Sequence, residues 1–94
     1  MITAFILMNA EPGRIKPLAE QLLEIPGIYE VYSVAGPFDL VAVARVPRHE
    51  DLSDLVTDRV GSLDGLENTE TLIAFRAFAK KDPGLLWDVG GEPD

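Results

Sequence analysis

Apolar residues concentrate in four segments that predict β-strands. The segments comprise residues 2–8, 28–35, 40–46 and 70–78, and each is rich in β-branched or aromatic side chains. Runs of this kind that end near Gly, Pro, Asn or Asp residues are typical of strands. Their apolar residues occupy odd and even positions alike, whereas a strand with one face in water alternates apolar with polar residues. We therefore expect both faces of these strands to be covered.

Two stretches with helical spacing separate the predicted strands. The apolar residues of the first stretch recur at i, i+3, i+7 and i+10, which places them on one side of a helix; they are Ile15, Leu18, Leu22 and Ile25. Pro26 and Gly27 end this helix. The second stretch has a comparable set, made of Leu52, Leu55, Val56 and Leu63. Acidic residues lie near its start, where the positive end of the helix dipole favours them.

The predicted elements follow the order β-α-β-β-α-β, which is the arrangement of ferredoxin-like folds. We therefore expect an α+β protein with a four-stranded antiparallel sheet and two helices on one face, as right-handed crossovers require. The other face would remain uncovered, although the strands are apolar on both sides. A large exposed apolar surface is a liability for a monomer. We expect two copies to pack sheet against sheet, in a dimeric α/β barrel-like arrangement, or to pair their strand edges into a larger β structure.

The chain is long enough for one domain, which we place at residues 1–79. Residues 80–94 contain five of the Pro and Gly residues, at positions 83, 84, 90, 91 and 93. We interpret this segment as a C-terminal tail. Its single Trp87 is expected to be a packing anchor.

Composition excludes several classes of partner. The net charge is −8, and Lys80 and Lys81 are the only adjacent basic residues, whereas binding to phosphates needs clustered Lys and Arg. No apolar run approaches the roughly 20 residues of a membrane span, and the N-terminus lacks the pattern of a secretion signal. The absence of Cys agrees with a reducing compartment. We expect a cytoplasmic protein with neither a nucleic-acid nor a membrane partner.

Catalytic and metal-binding patterns are absent from the sequence. The single histidine, His49, lies at a predicted helix start beside Arg48 and Glu50, where a surface role is expected. No second His and no Cys is available to complete a zinc site of the usual type. The chain has no Gly-rich phosphate loop and no nucleophile elbow. We expect no catalytic residue, no metal and no cofactor.

Two polar features remain as candidate ligand-binding groups. One is the turn between the second and third predicted strands, made of Gly36, Pro37, Phe38 and Asp39. Gly36 tolerates positive φ and Pro37 fixes φ, so the turn is well specified; Asp39 then either caps backbone N–H groups or contacts a ligand. The other is the segment Asn68-Thr69-Glu70-Thr71 at the beginning of the fourth predicted strand. The hydroxyls of Thr69 and Thr71 face the same way on a strand, or the two residues only reflect β propensity. A carboxylate and hydroxyls together suit a small zwitterion.

One long segment resembles a known family. Residues 26–44, Pro-Gly-Ile-Tyr-Glu-Val-Tyr-Ser-Val-Ala-Gly-Pro-Phe-Asp-Leu-Val-Ala-Val-Ala, resemble the central hairpin of the Lrp/AsnC family's effector domain, also called the RAM domain. That family has a Pro-Gly-Val-like beginning, a Gly-x-x-Asp turn and then an apolar strand. Its last strand typically begins with Thr-x-Thr and apolar residues, as residues 69–73 do (Thr-Glu-Thr-Leu-Ile). The resemblance covers about residues 2–78.

The resemblance implies a stand-alone effector module without a helix-turn-helix, which binds an amino acid at an interface between dimers. Gly36, Pro37, Phe38 and Asp39 would supply the loop side of this site, and Thr69 and Thr71 of a neighbour the strand side. It also implies a homo-oligomer of sheet-packed dimers, and co-assembly with full-length Lrp/AsnC regulators.

Two alternatives from other classes remain open. The first is a small enzyme, because dimeric ferredoxin-like barrels also host monooxygenases and isomerases. The second is a purely structural assembly protein without a functional site.

Overall fold

The computed structural model describes residues 1–80 of the chain. These residues form one antiparallel sheet with helical segments between its strands. The strands are β1 (Ile2–Ala10), β2 (Ile28–Ser33), β3 (Leu40–Val46) and β4 (Leu66–Ile73); the helices are α1 (Ile15–Leu23) and α2 (His49–Asp54), which continues as a π-helical segment at Leu55–Val60. The strand order is β2-β3-β1-β4. The predicted α+β, ferredoxin-like βαββαβ fold is therefore confirmed.

The core lies between the helices and one side of the sheet. The side chains of the central strands that point to this side are fully buried: Ala4, Ile6, Met8, Leu40, Ala42 and Ala44. Leu18 and Leu22 of α1 and Leu52 of α2 belong to the same core, at positions that the helical spacing predicted. The small Ala side chains leave room in the middle of the sheet for these leucines, each of which contributes roughly 1.5–3 kcal/mol on full burial.

The other side of the sheet, which we call the open face, is not covered within residues 1–80. Phe5 is 37% exposed, Leu72 is 49% exposed and Tyr32 is 51% exposed. Phe5 pairs in register with Leu72 on one side and with Val43 on the other, so the apolar side chains form a continuous row. The strand pattern predicted such an apolar face, and the described residues 1–80 leave it uncovered.

The ends of β4 differ from the prediction of residues 70–78. The strand begins at Leu66, directly after Gly65, which turns the chain with a φ of 96°. It ends at Ile73, which pairs with Ala4 near the beginning of β1. Ala74 still donates to the Thr3 carbonyl at 2.9 Å, but β1 then offers almost no further partner. The apolar sequence alone continues to residue 78, because a sequence pattern does not reveal where the partner strand ends.

The second helix departs from α-helical geometry after Asp54. The N–H of Gly61 donates to the carbonyl of Val56, five residues earlier, at 2.9 Å, as in a π-helix. This wider turn brings Val60 to the side occupied by Leu55, and both are buried. Val60 also lies four residues after Val56, so it fits the ordinary helical spacing, although the predicted set did not include it.

The predicted tail, residues 80–94, lies outside the described residues apart from Lys80, and so does Trp87. Within residues 1–80, no helix has the length and apolar character that a membrane span requires.

Candidate functional site

The predicted turn joins β2 to β3 and is closed by a backbone hydrogen bond. The N–H of Val34 donates to the Asp39 carbonyl at 3.0 Å, so β2 ends at Ser33 rather than at residue 35. Gly36 has a φ of 129°, a conformation that a residue with a Cβ rarely adopts. The N–H groups of Gly36 and Phe38 find no acceptor within residues 1–80. The turn thus presents two free backbone donors.

The Asp39 carboxylate is bound to the central strand β1. Because Met8 pairs with Leu40, β1 continues two residues beyond the beginning of β3. The Asp39 side chain replaces the missing strand partner: its Oδ2 accepts the Ala10 N–H at 2.9 Å. Its own N–H donates to the Met8 carbonyl, also at 2.9 Å. The capping role that the sequence left open is therefore present.

Capping leaves part of the Asp39 carboxylate unused. Its hydrogen bonds within residues 1–80 all go to Oδ2, and the side chain is only half-buried. A carboxylate has about four acceptor positions on two oxygens, so Oδ1 can accept a bond from a ligand. The two roles considered for Asp39 from the sequence do not exclude each other.

Two asparagines complete this network. Sequence reasoning missed Asn9, and it noted Asn68 only as the first residue of the polar segment that contains Thr69 and Thr71. Asn9 of β1 and Asn68 of β4 pair in register, and Asn68 Nδ2 donates to Asn9 Oδ1 at 3.0 Å. Asn9 Nδ2 donates to the Pro37 carbonyl at 2.9 Å and to Asp39 Oδ2 at 3.4 Å. The only signal in the sequence is an Asn directly after the first apolar run. Its partner becomes apparent only from the register of β1 with β4.

Thr69 and Thr71 lie apart from the turn. Thr69 pairs with Met8 and Thr71 with Ile6, so both face the helix side of the sheet, whereas Asn9 lies on the open face. Thr69 is exposed and Thr71 is half-buried, because β4 is an edge strand. Because β1 lies between β4 and β3, the threonines of β4 are two strand spacings, about 10 Å, from the turn at the beginning of β3. One chain brings Gly36, Pro37, Phe38 and Asp39 together but does not bring the threonines to them.

The open face near the turn carries acidic groups among its apolar residues. Glu30 and Tyr32 are two residues apart on β2. The negative charge of Glu30 raises the pKa of Tyr32 above its ordinary value.

A cleft of about 650 Å³ lies at the opposite end of the sheet from the turn. It is lined by the beginning of β2, the end of β3 and the π-helical segment. Its charged residues have both signs, Arg45 and Arg59 against Asp51, Asp54 and Asp58. The Arg45 guanidinium lies 5.9 Å from the centre of the Tyr29 ring. None of the sequence-predicted site residues lines this cleft, and its mixed charge selects no single class of ligand.

Fold and site together define a class of protein. A ferredoxin-like sheet with an open apolar face, whose β2–β3 turn presents free N–H groups beside a partly free carboxylate, is suited to binding a small ligand at the strand ends. The family follows from comparison: the model of the Lrp/AsnC ligand-binding domain matches residues 3–83. The chain belongs to this family, as the resemblance in its central hairpin predicted.

The curated relatives are regulators of transcription by name. The HTH-type transcriptional regulator FL11 of Pyrococcus furiosus is 37% identical over 75 residues, a match that covers 80% of this chain and 49% of FL11. The chain spans about half the length of the curated relatives that it matches.

Solved structures of relatives have the same fold. TTHA0845 from Thermus thermophilus is 50% identical, with a TM-score of 0.80 over 85% of this chain and 100% of that one. A feast or famine regulatory protein from M. tuberculosis, complexed with L-methionine, is 25% identical, with a TM-score of 0.73 over 85% of this chain and 54% of that one.

Proposed function

We propose that this chain is an Lrp/AsnC-type effector-binding module that binds a small effector, an amino acid, beside its β2–β3 turn at an oligomer interface. The observation that carries this proposal is the Asp39 carboxylate. One of its oxygens is held by the Ala10 N–H, and the other is free within residues 1–80. A fixed carboxylate with one free oxygen is a suitable acceptor for an ammonium group, since charge-assisted hydrogen bonds are stronger than neutral ones.

The turn also supplies donors for the acid group of the ligand. The N–H groups of Gly36 and Phe38 are free within the described residues and lie within the same short turn as Asp39. Donors and an acceptor at this spacing suit the two charged groups of an α-amino acid. The relative from M. tuberculosis that is complexed with L-methionine supports an amino acid as the class of effector.

The strand side of the proposed site comes from another copy. Thr69 and Thr71 face the helix side of the sheet, opposite to Asn9 and the polar network of the turn. One ligand can therefore contact both halves only if the threonines belong to a neighbouring molecule. Association through the open face, which would bury Phe5, Tyr32 and Leu72, supports the building of such an oligomer from sheet-packed dimers.

The module would act on transcription through partners rather than through DNA contacts of its own. Its relatives are named as HTH-type regulators, and residues 3–83 correspond to their ligand-binding domain. The net charge of −8 opposes binding to phosphates. Co-assembly with full-length Lrp/AsnC regulators, in the cytoplasm, is the route that we propose. No observation within residues 1–80 favours an enzyme.

A melting-temperature screen tests the proposal. The wild-type protein is heated with each of the common amino acids, and hits are titrated by calorimetry. A ligand at 100 times its Kd raises the free energy of unfolding by about 2.7 kcal/mol, a shift that such a screen resolves. Light scattering on the same samples measures the assembly. A protein that no amino acid stabilises would contradict the proposed function.

A further inference from the structure

The side chain of Asn9 makes three hydrogen bonds to the turn and to β4. A side-chain amide has two N–H donors and one carbonyl acceptor group. Both donors go to the turn, to the Pro37 carbonyl at 2.9 Å and to Asp39 Oδ2 at 3.4 Å. The carbonyl accepts from Asn68 at 3.0 Å. Asn9 itself belongs to the central strand β1, where it pairs with Asn68 of β4.

The bond to the Pro37 carbonyl also determines the direction of a neighbouring N–H. The carbonyl of Pro37 and the N–H of Phe38 belong to one peptide unit, which is planar and trans, so the two groups point in opposite directions. Fixing the carbonyl toward Asn9 therefore fixes the Phe38 N–H away from it. Phe38 N–H is one of the donors that we assign to the acid group of the ligand.

Asn9 has a second effect, on Asp39. Its Nδ2 and the Ala10 N–H both approach Oδ2, which holds the carboxylate in one orientation and leaves Oδ1 free. Asn68 supports this arrangement. Its Nδ2 donates to Asn9 Oδ1 and so keeps that oxygen facing β4, which directs Asn9 Nδ2 toward the turn.

We propose that Asn9 is the positioning residue of the effector site: one side-chain amide aims both the Phe38 N–H and the Asp39 carboxylate at the ligand without contacting it. This inference rests on the proposed function for the identity of the ligand, but the geometry of the turn is independent of it. Asn68 acts one step further away, as the group that orients Asn9.

The test combines ligand affinity with the mobility of the turn. The probes are L-methionine and 3-(methylthio)propylamine, the same molecule without its carboxylate. Asn9→Ala should weaken binding of L-methionine about tenfold, the effect of losing one good hydrogen bond to a charged group. Binding of 3-(methylthio)propylamine should change by no more than about threefold. The stronger of the two Asn9 bonds, to the Pro37 carbonyl, orients the Phe38 N–H that binds the ligand's carboxylate, and this amine has no carboxylate. The ratio of the affinity for L-methionine to the affinity for the amine should therefore fall.

The second readout needs no ligand. In ¹⁵N relaxation spectra, Asn9→Ala should lower the heteronuclear NOE of Gly36 and Phe38, which reports motion on the ps–ns timescale. Asn68→Ala should have a smaller effect in the same direction. Thr3→Ala, on the same strand but at its other end, is the matched control and should change neither readout.

The outcomes separate this inference from the proposed function. If the turn becomes mobile and the affinity ratio falls, both stand. If Asn9→Ala makes the turn mobile while the wild type binds no amino acid, Asn9 still positions the turn and the proposed function fails. If the wild type binds L-methionine and Asn9→Ala changes neither the mobility of the turn nor the affinity ratio, the assignment of Asn9 is wrong.

Discussion

Replacing Asp39 separates its two roles, because different variants remove different parts of the side chain. Asp39→Ala removes the acceptor for the Ala10 N–H together with the negative charge. Asp39→Asn keeps one oxygen, which can still accept the Ala10 N–H, but replaces the free oxygen with an NH₂ donor. The first variant therefore loses the cap and the ligand contact, while the second loses only the ligand contact.

The sizes of the expected effects follow from these bonds. Leaving a partly buried backbone N–H unpaired costs about 1–3 kcal/mol, so Asp39→Ala should lower the Tm by at least 4 °C, the lower end of about 4–8 °C per kcal/mol in a domain of this size. Asp39→Asn should melt close to the wild type. Both variants lose a hydrogen bond to an ammonium group, worth about 1.5–3 kcal/mol, so both should bind the amino acid about 10- to 150-fold more weakly.

Calorimetric titration and thermal melting of four proteins, the wild type, Asp39→Ala, Asp39→Asn and Thr3→Ala, check this prediction. The wild type gives the reference affinity, and Thr3→Ala serves as a control for a change at the far end of the sheet. The reasoning is refuted if Asp39→Asn binds the amino acid as tightly as the wild type does, because the carboxylate would then serve only as a cap. It is also refuted if Asp39→Ala melts like the wild type, because the bond to Ala10 would then contribute nothing.

Three further outcomes are expected. Gly27→Ala should destabilise the fold by more than about 1 kcal/mol in urea unfolding, which is the cost of a strained backbone conformation. Gly27 has a φ of 100°, and an added Cβ would lie 2.9 Å from Leu55 Cδ1. An unchanged unfolding midpoint would contradict this. Leu72→Glu, on the open face, should reduce the mass measured by light scattering to that of a monomer, and a wild type that is already monomeric at micromolar concentration would dismiss the sheet-packed dimer. The chain alone should give no gel shift with duplex DNA at physiological salt, and a sequence-dependent shift below about 1 µM would overturn that expectation, since non-specific binding is typically weaker than this.

Local patterns predicted the fold well because each element has an independent signal. The repeated spacing of Leu18 and Leu22 and the Gly-containing turn before Leu40 both identify elements from a few neighbouring residues. The order of these elements then leaves few topologies that satisfy right-handed crossovers. The end of β4 at Ile73 was not predictable in this way, because it depends on where β1 begins.

The candidate site was predicted only in part, for a related reason. The turn that ends at Asp39 is local, so its residues were found from the sequence. Asn9 and Asn68 are 59 residues apart in the chain, and only the register of β1 with β4 brings them together. Thr69 and Thr71 were identified from their spacing, but the side of the sheet that they face follows from their pairing with Met8 and Ile6. That the turn and the threonines form one site stays a prediction.

The attachment of the turn to β1 limits how its sequence can vary. Val34 closes the turn onto Asp39, and Asp39 is tied to Met8 and Ala10. An insertion or deletion within the turn would detach Asp39 from β1 or shift β3 in register, and a shift of one residue would turn every side chain of β3 to the wrong face. Replacement of the exposed Pro37 side chain meets no such barrier. The side chains of this turn can therefore vary by point substitution, while its length stays constant.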